Sequence, residues 1–201
     1  MSDVFTTGIL QRGRDGKLVE EGNGYQVDRS QRIRLGSADP DFTMGWRHDI
    51  NYKNISLGLM ITGRFGGIVT SQTQAFMDAF GVSKVSAEAR DNGGVMLDGH
   101  RYDAERYYNT VGGQGLMSYY TYDATNVRLQ ELSLTYSLPK KWLGDVFNNA
   151  TISFVGRNLF MFYRKAPFDP DMNGSTGTYN RSDFFMAPSL RNLGFSIKFS
   201  L

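Results

Sequence analysis

The sequence predicts an all-β protein, with about five antiparallel strands taken from the wall of a transmembrane β-barrel and joined by long loops. Three observations predict it. Apolar residues recur at every second position over several stretches. Those stretches run to about ten or twelve residues, against about five or six for an ordinary globular strand and about nine to eleven for a strand that crosses a bilayer at a tilt. The connections between them differ sharply in length, as do the turns and loops at the two ends of a membrane barrel.

The first strand is FTMGWRHDINY. Phe42, Met44, Trp46, Ile50 and Tyr52 share a face, with His48 the one exception, and Thr43, Arg47, Asp49 and Asn51 oppose them. Alternate side chains of a strand point to opposite faces, so this stretch has one apolar and one polar side. The second, 54–65, puts Ile55, Leu57, Leu59, Ile61 and Phe65 together, with Gly63 as a gap. Asn54, Ser56, Gly58, Thr62 and Arg64 lie opposite. In 126–138, Leu132, Leu134, Tyr136 and Leu138 share a face, while Val127 and Leu129 have the opposite parity. The phase slips near Gln130–Glu131, which predicts a bulge or the strand's exit from the apolar band. In 150–162, Ile152, Phe154, Phe160 and Phe162 align, interrupted by Gly156 and Asn158. The last strand places Leu193, Phe195, Ile197, Phe199 and Leu201 on a face expected to meet lipid, against Gly194, Ser196, Lys198 and Ser200.

Strands 42–52 and 54–65 are joined by Lys53 alone, and the next turn is about a dozen residues, whereas 66–125 and 163–189 are long. Short turns belong to the periplasmic side, so the chain should end there. Counting back, 1–41 is an extracellular loop segment, and 42–201 is the C-terminal part of the barrel with extracellular loops 66–125 and 163–189. Trp46, Phe160 and Phe162 are expected at the outer aromatic girdle, and Tyr52 and Tyr136 at the inner one. Five strands cannot close, and unpaired backbone in lipid costs several kcal/mol per group, so the segment is expected to be part of a larger barrel.

Composition removes several alternatives. A net charge of +2 with no block of like charge gives no basis for nucleic-acid binding. The absence of cysteine excludes disulfides, thiolate metal sites and a cysteine nucleophile. No run of eighteen apolar residues predicts a membrane helix, and MSDVFTTGILQRGRDG has no signal-peptide core. The histidines, His48 and His100, sit in no zinc motif, the serines lack a GxSxG elbow and there is no P-loop, so no catalysis and no cofactor are expected.

Six stretches, taken together and in order, resemble the end of SusC/RagA-family TonB-dependent transporters. They are LGSADPDFTMGW (35–46), INYKNISL (50–57), EARDNGGV (88–95), YDATNVRLQELSLTYSLPKKW (122–142), GRNLFMFYRKAPFDPDMNGSTGTYN (156–180) and FFMAPSLRNLGFSIKF (184–199). The resemblance implies a barrel of about 22 strands plugged by an N-terminal domain. It also implies location in the cell outer membrane, import of oligosaccharides or peptides, and a SusD-like surface lipoprotein as partner. Energy would come from the TonB complex, engaged through an N-terminal box outside these residues. Transport is not expected of this chain alone.

Two features carry site expectations. FDPDMNG (168–174) offers Asp169, Asp171 and Asn173 with the spacing that opens a calcium loop, but Asn180 stands where a bidentate Glu belongs. A polar turn shaped by Pro170 and Gly174 is the simpler reading, and no metal is expected. Loop 66–125 is long enough to suggest function, and Phe76, Phe80 and Gly81 predict a short helix in it. Its Tyr102, Tyr107, Tyr108, Tyr119, Tyr120 and Tyr122 are candidates to stack on sugars or to face the lipoprotein; the alternative is that they pack the loop against itself. A competing reading of the whole chain is a soluble β-sandwich carbohydrate-binding module, in which the apolar faces press together as a core.

Overall fold

A computed structural model describes residues 3–143, 147–171 and 182–200. In chain order its strands are β1 (Asp3–Leu10), β2 (Glu20–Glu21), β3 (Gly24–Tyr25), β4 (Val27–Ser37), β5 (Phe42–Tyr52), β6 (Ile55–Phe65), β7 (Ile68–Ser71), β8 (Val95–Leu97), β9 (His100–Tyr102), β10 (Thr121–Asp123), β11 (Asn126–Ser137), β12 (Asn149–Arg164), β13 (Ser182–Asp183) and β14 (Asn192–Ser200). The helices are α1 (Gln72–Ala79), α2 (Lys84–Asp91) and α3 (Ala104–Val111). The chain divides into two compact units, each assembled from separated stretches.

The wall unit, 40–66, 124–171 and 188–201, is an antiparallel sheet in the order β14-β12-β11-β6-β5. Its strands are the five that alternation predicts. Pairing brings their apolar positions into rows across the sheet. Ile50, Leu57, Leu134, Phe154 and Phe195 form one row, and Tyr52, Ile55, Tyr136, Ile152 and Ile197 the next. Trp46, Ile61, Leu129 and Phe160 form a third toward the opposite end. Four of the aromatic residues expected at the two girdles therefore lie toward opposite ends of one face, and Phe162, at a register shift, has no partner in these rows. Trp46 and Phe160 share one row, and Tyr52 and Tyr136 share the other.

Leu129 belongs to this face because the register shifts between Leu129 and Glu131 against both neighbouring strands. One extra residue, Gln130, reverses the parity of everything before it. Val127 and Leu129 thus join Leu132 and Leu134 instead of opposing them. On β12 the matching irregularity falls at Asn158, whose φ is +52°.

The opposite face is small and polar. Asn51, Ser56, Thr135, Ser153 and Ser196 form one row, with the Thr135 and Ser153 hydroxyls 2.9 Å apart. Arg47 and Asp49 pair at 2.9 Å, as do Arg157 and Glu131. The β5–β6 turn has two residues, with Lys53 at φ +53° between the paired Tyr52 and Ile55. Asn54 fastens this turn to β11: its side-chain amide donates to the Ser137 carbonyl at 2.8 Å, and the Ser137 N–H donates to the Asn54 carbonyl at 2.8 Å.

No apolar core lies on either side of this sheet among the described residues of its unit. The largest fully buried side chains there are Asn126 and Pro170. The apolar face is exposed along its length, with Phe195 at 66% and Leu193 at 64%. Phe42, Trp46, Ile50, Tyr52, Leu134, Phe160 and Phe199 are exposed as well. A water-soluble sandwich would bury these side chains against a second sheet, so the sandwich reading does not describe this unit.

The loop unit, 1–39, 67–123 and 172–187, has a conventional core. The stretch 1–39 is more than bare loop. β1 and β4 pair as an antiparallel ribbon with two register shifts, and Arg32 lies 4.2 Å above the Phe5 ring. β7 pairs with β10 and β13. Each helix starts on a side-chain cap that accepts from the backbone three residues on: Ser71 from Gln74 at 3.0 Å, Ser83 from Ser86 at 3.0 Å and Asp103 from Arg106 at 2.9 Å. Such a bond satisfies an otherwise orphaned helix N–H and contributes about 1 kcal/mol. The short helix expected around Phe76 is α1, and Gly81 beyond its end takes φ +67°, open to glycine without a Cβ penalty.

Candidate functional site

The wall unit's polar face carries a buried ion cluster at its Asn126 end. Arg128 projects from β11 with its side chain 7% exposed. Its Nη2 lies 2.7 Å from Asp169 Oδ1 and 2.6 Å from Asp171 Oδ2. Its Nε donates to Asn126 Oδ1 at 3.4 Å and its Nη1 to Ser189 Oγ at 3.4 Å. Arg64, on β6, lies 3.6 Å from the other oxygen of Asp171. Asp169 further accepts from the Ser189 hydroxyl and from the Asp171 N–H, the latter at 3.1 Å. Burial alone would raise the Asp169 carboxyl. The donors Ser189, Arg128 and the Asp171 amide outweigh it and hold the group below the ordinary carboxylate value.

Local sequence explains this arrangement. Arg64 and Arg128 occupy polar-face positions of adjacent strands, and Arg128 is two residues before the bulge that sets its parity. Asp169 starts a turn over Pro170 and folds back on itself through the Asp171 N–H. The cluster therefore ties the chain beyond β12 to the sheet. Asp169 and Asp171, read from spacing as weak metal candidates, have their oxygens on Arg128, Arg64 and the Ser189 hydroxyl. No group of three or more metal-ligating side chains occurs among the described residues. Asn173 lies outside them, as does Leu201.

Beside the cluster, still within the wall unit, is a cavity of about 180 Å³ lined by Arg128, Arg164, Arg191, Asn158, Asp169 and Phe160, among others. Asn158 Nδ2 donates to the Leu190 carbonyl at 3.3 Å, while its Oδ1 is buried without a partner among the described residues.

The loop unit gathers the tyrosines. Tyr102, Tyr107, Tyr108 and Tyr120 are buried in its core with Leu10, Leu18, Tyr25, Val111 and Leu116. Tyr25 and Tyr102 meet edge to face at 5.6 Å, as do Tyr107 and Tyr108 at 5.3 Å. The Tyr102 hydroxyl accepts from the Leu18 N–H at 3.1 Å. Burial pushes the Tyr107 phenol up to about 12. Burial also raises Tyr120, and the Asp78 charge adds to it. Tyr119 differs: it is 37% exposed, and its hydroxyl accepts from the Leu10 N–H at 3.4 Å. A second cavity of about 290 Å³ lies against α1, α2 and α3, with Asp78, Arg90, Glu105 and Tyr108 in its wall.

Sequence reading did not single out the exposed aromatic patch of this unit. Phe76 stacks on Phe80 (6.4 Å between centroids) and Phe185 (5.8 Å), and meets Phe184 at 6.2 Å. Phe80 is 77% exposed, and Phe184 and Phe185 are exposed too. The parallel pairing of β13 with β7 brings the 184–185 stretch here, and the Phe185 N–H donates to Thr73 Oγ1 at 2.7 Å.

No family model matches the chain. Among curated proteins it is similar to TonB-dependent receptor P3 of Formosa agariphila, 29% identical over 188 residues, which are 89% of this chain and 18% of that protein. It is also similar to TonB-dependent receptor P26 of the same organism, 26% identical over 156 residues, 76% of this chain and 15% of that protein. Among solved structures, the RagAB peptide importer in its open-open state matches 99% of this chain and 22% of the chain compared, with a TM-score of 0.61 at 16% identity. Its closed-closed state matches 97% and 21%, with a TM-score of 0.59 at 15% identity. The chain thus spans about a fifth of the length of these proteins, and its fold is that of part of the importer's barrel.

Proposed function

From a chain similar over most of its length to TonB-dependent receptors and folded like part of the RagAB importer, we propose a share in nutrient uptake across the outer membrane. The chain supplies part of the barrel wall and outer loops of a TonB-dependent transporter that imports peptides or glycans. The single observation that carries this is the two-faced sheet. Its exposed apolar rows suit hydrocarbon between two aromatic girdles, and its serine-, threonine- and arginine-bearing face suits a wet lumen. The wall itself performs no chemistry. The relatives are receptors rather than enzymes, in keeping with a passage and not an active site.

Energy from the TonB complex would enter through parts of the protein other than these residues. A SusD-like surface lipoprotein is the partner, and the patch of Phe76, Phe80, Phe184 and Phe185 is the surface we assign to it, since exposed aromatic clusters mark protein contacts. Tyr119, the exposed member of the tyrosine set, is available to cargo or partner.

The test uses the full-length protein in its own cell. Fractionation should place it in the outer membrane, and uptake of its cargo should vanish when the gene or TonB is deleted. Uptake that persists without TonB would overturn the reading. Phe80→Asp with Phe185→Asp should reduce lipoprotein co-purification while leaving the barrel inserted.

A further inference from the structure

The loop unit holds a cavity that the transport reading leaves without a role. At about 290 Å³ it is near the roughly 300 Å³ at which ligand pockets begin. The end of α1, part of α2 and the start of α3 form its wall. In that wall Asp78 and Tyr108 are buried, while Phe80, Glu105 and Asn109 are exposed.

Asp78 is the residue that calls for a ligand. It is 5% exposed, yet among the described residues neither it nor Glu105 makes an ion pair. One oxygen of Asp78 accepts from the Gln74 side-chain amide at 2.8 Å. The Tyr120 hydroxyl stands beside it, but meets no hydrogen-bond geometry among the described residues. The guanidinium in the wall, that of Arg90, donates instead to the Gly81 carbonyl at 2.7 Å. There it answers the partial negative charge at the end of α1. Burial, and then the Asp78 charge, raises the phenols of Tyr108 and Tyr122, so the carboxylate lies among groups that supply it no counter-charge. A buried carboxylate has lost its water, and an opposite charge with good hydrogen bonds is what ordinarily replaces it.

The rest of the wall states what kind of cation fits. It offers two carboxylates, where hard metal ions gather six or more oxygen ligands. It also offers two aromatic side chains, Phe80 and Tyr108. A cationic group on an apolar stem is matched by both halves, its charge by the carboxylates and its stem by the rings.

We propose that this cavity takes the basic side chain, lysine or arginine, of a peptide cargo. The cationic end reaches Asp78, Glu105 holds it from the rim, and the methylene stem lies along Phe80 and Tyr108. Asn109 bonds the peptide backbone. An uncharged glycan would leave Asp78 without its counter-charge. The proposal rests on the transport reading for the source of the peptide, and deepens it by naming a class of cargo.

The experiment is calorimetric titration of the detergent-purified full-length protein. The probes are alanyl-lysyl-alanine capped at both ends, the same peptide with norleucine for lysine, and maltotriose. The lysine peptide is expected to bind saturably, and the norleucine peptide and maltotriose are not. Asp78→Asn keeps an acceptor for Gln74 but removes the charge, and should weaken lysine-peptide binding by about tenfold or more. Glu105→Gln, at the exposed rim, should weaken it less. Equal binding of the lysine and norleucine peptides overturns the proposal, as does unchanged affinity in Asp78→Asn. Tighter binding of maltotriose assigns the cavity to sugars and overturns it too. Loss of peptide binding whenever the surface lipoprotein is bound assigns the site to that partner and overturns cargo as its source. Uptake that persists without TonB sinks the transport reading while leaving this titration unchanged, so the two failures are distinguishable.

Discussion

At the residue scale, Arg128 is the side chain on which the wall's polar end depends. It holds two carboxylates while almost fully withdrawn from solvent. Removing one partner of a buried ion pair leaves an uncompensated charge, at a cost of about 3 to 5 kcal/mol. Arg128→Met in the full-length protein should lower barrel stability by about 3 kcal/mol, read as a lower temperature for loss of the compact species on gels. Adding Asp169→Asn and Asp171→Asn should return part of it; a triple variant as unstable as the sum of its parts would argue against the pairing. The same cluster sets an acid limit. The folded Asp169 carboxyl is below its ordinary value of 3.8, so its contribution is complete above that pH and is lost as pH falls through the lower folded value. Protease sensitivity of the chain after β12 should rise only below pH 3.8 in the wild type, and should be independent of pH there in Asp169→Asn.

At the element scale, a strand's two sides obey opposite rules. An arginine on the lipid face near mid-membrane costs roughly 2 to 4 kcal/mol. Leu134→Arg, in the row with Ile50 and Phe195, should therefore impair insertion. Ser133→Arg, one residue away on the polar face, should insert normally, and equal amounts of both variants in the outer membrane would refute the face assignment. The bulge makes a sharper case. Deleting Gln130 would turn Val127 and Leu129 to the polar side and Arg128 to the apolar one, so assembly should fail. Gln130→Ala keeps the extra residue and should assemble, as heat-modifiability would show. Alternation alone located this slip to within a residue, but left open whether it marked a bulge or the end of the apolar band. Only pairing with β6 and β12 decides, because register belongs to three strands together.

At the scale of the whole molecule, the apolar rows leave Trp46, Phe160, Phe195 and Phe199 exposed together, whereas soluble monomers rarely expose apolar patches larger than a few hundred Å². The 201 residues expressed alone should sediment as aggregate, or as a single species only in detergent. A detergent-free monomer in analytical ultracentrifugation would contradict the barrel reading. The loop unit behaves otherwise, because its tyrosines and leucines already pack against one another. Its parts come from stretches far apart in the chain, with β7 pairing to β10 and β13 across long separations, so no local pattern announced it.

By itself, the sequence determined the five wall strands, their two faces and the place of the bulge, because each depends on side chains two positions apart in one extended segment. The resemblance was legible from contiguous motifs in the same way. The tertiary structure alone decided which tyrosines are buried, that Asp169 and Asp171 answer to Arg128 and Arg64, and that Phe76 meets Phe184 and Phe185. Those contacts join residues dozens of positions apart, and whether a polar or aromatic side chain is buried or free depends on the neighbour that the fold brings to it.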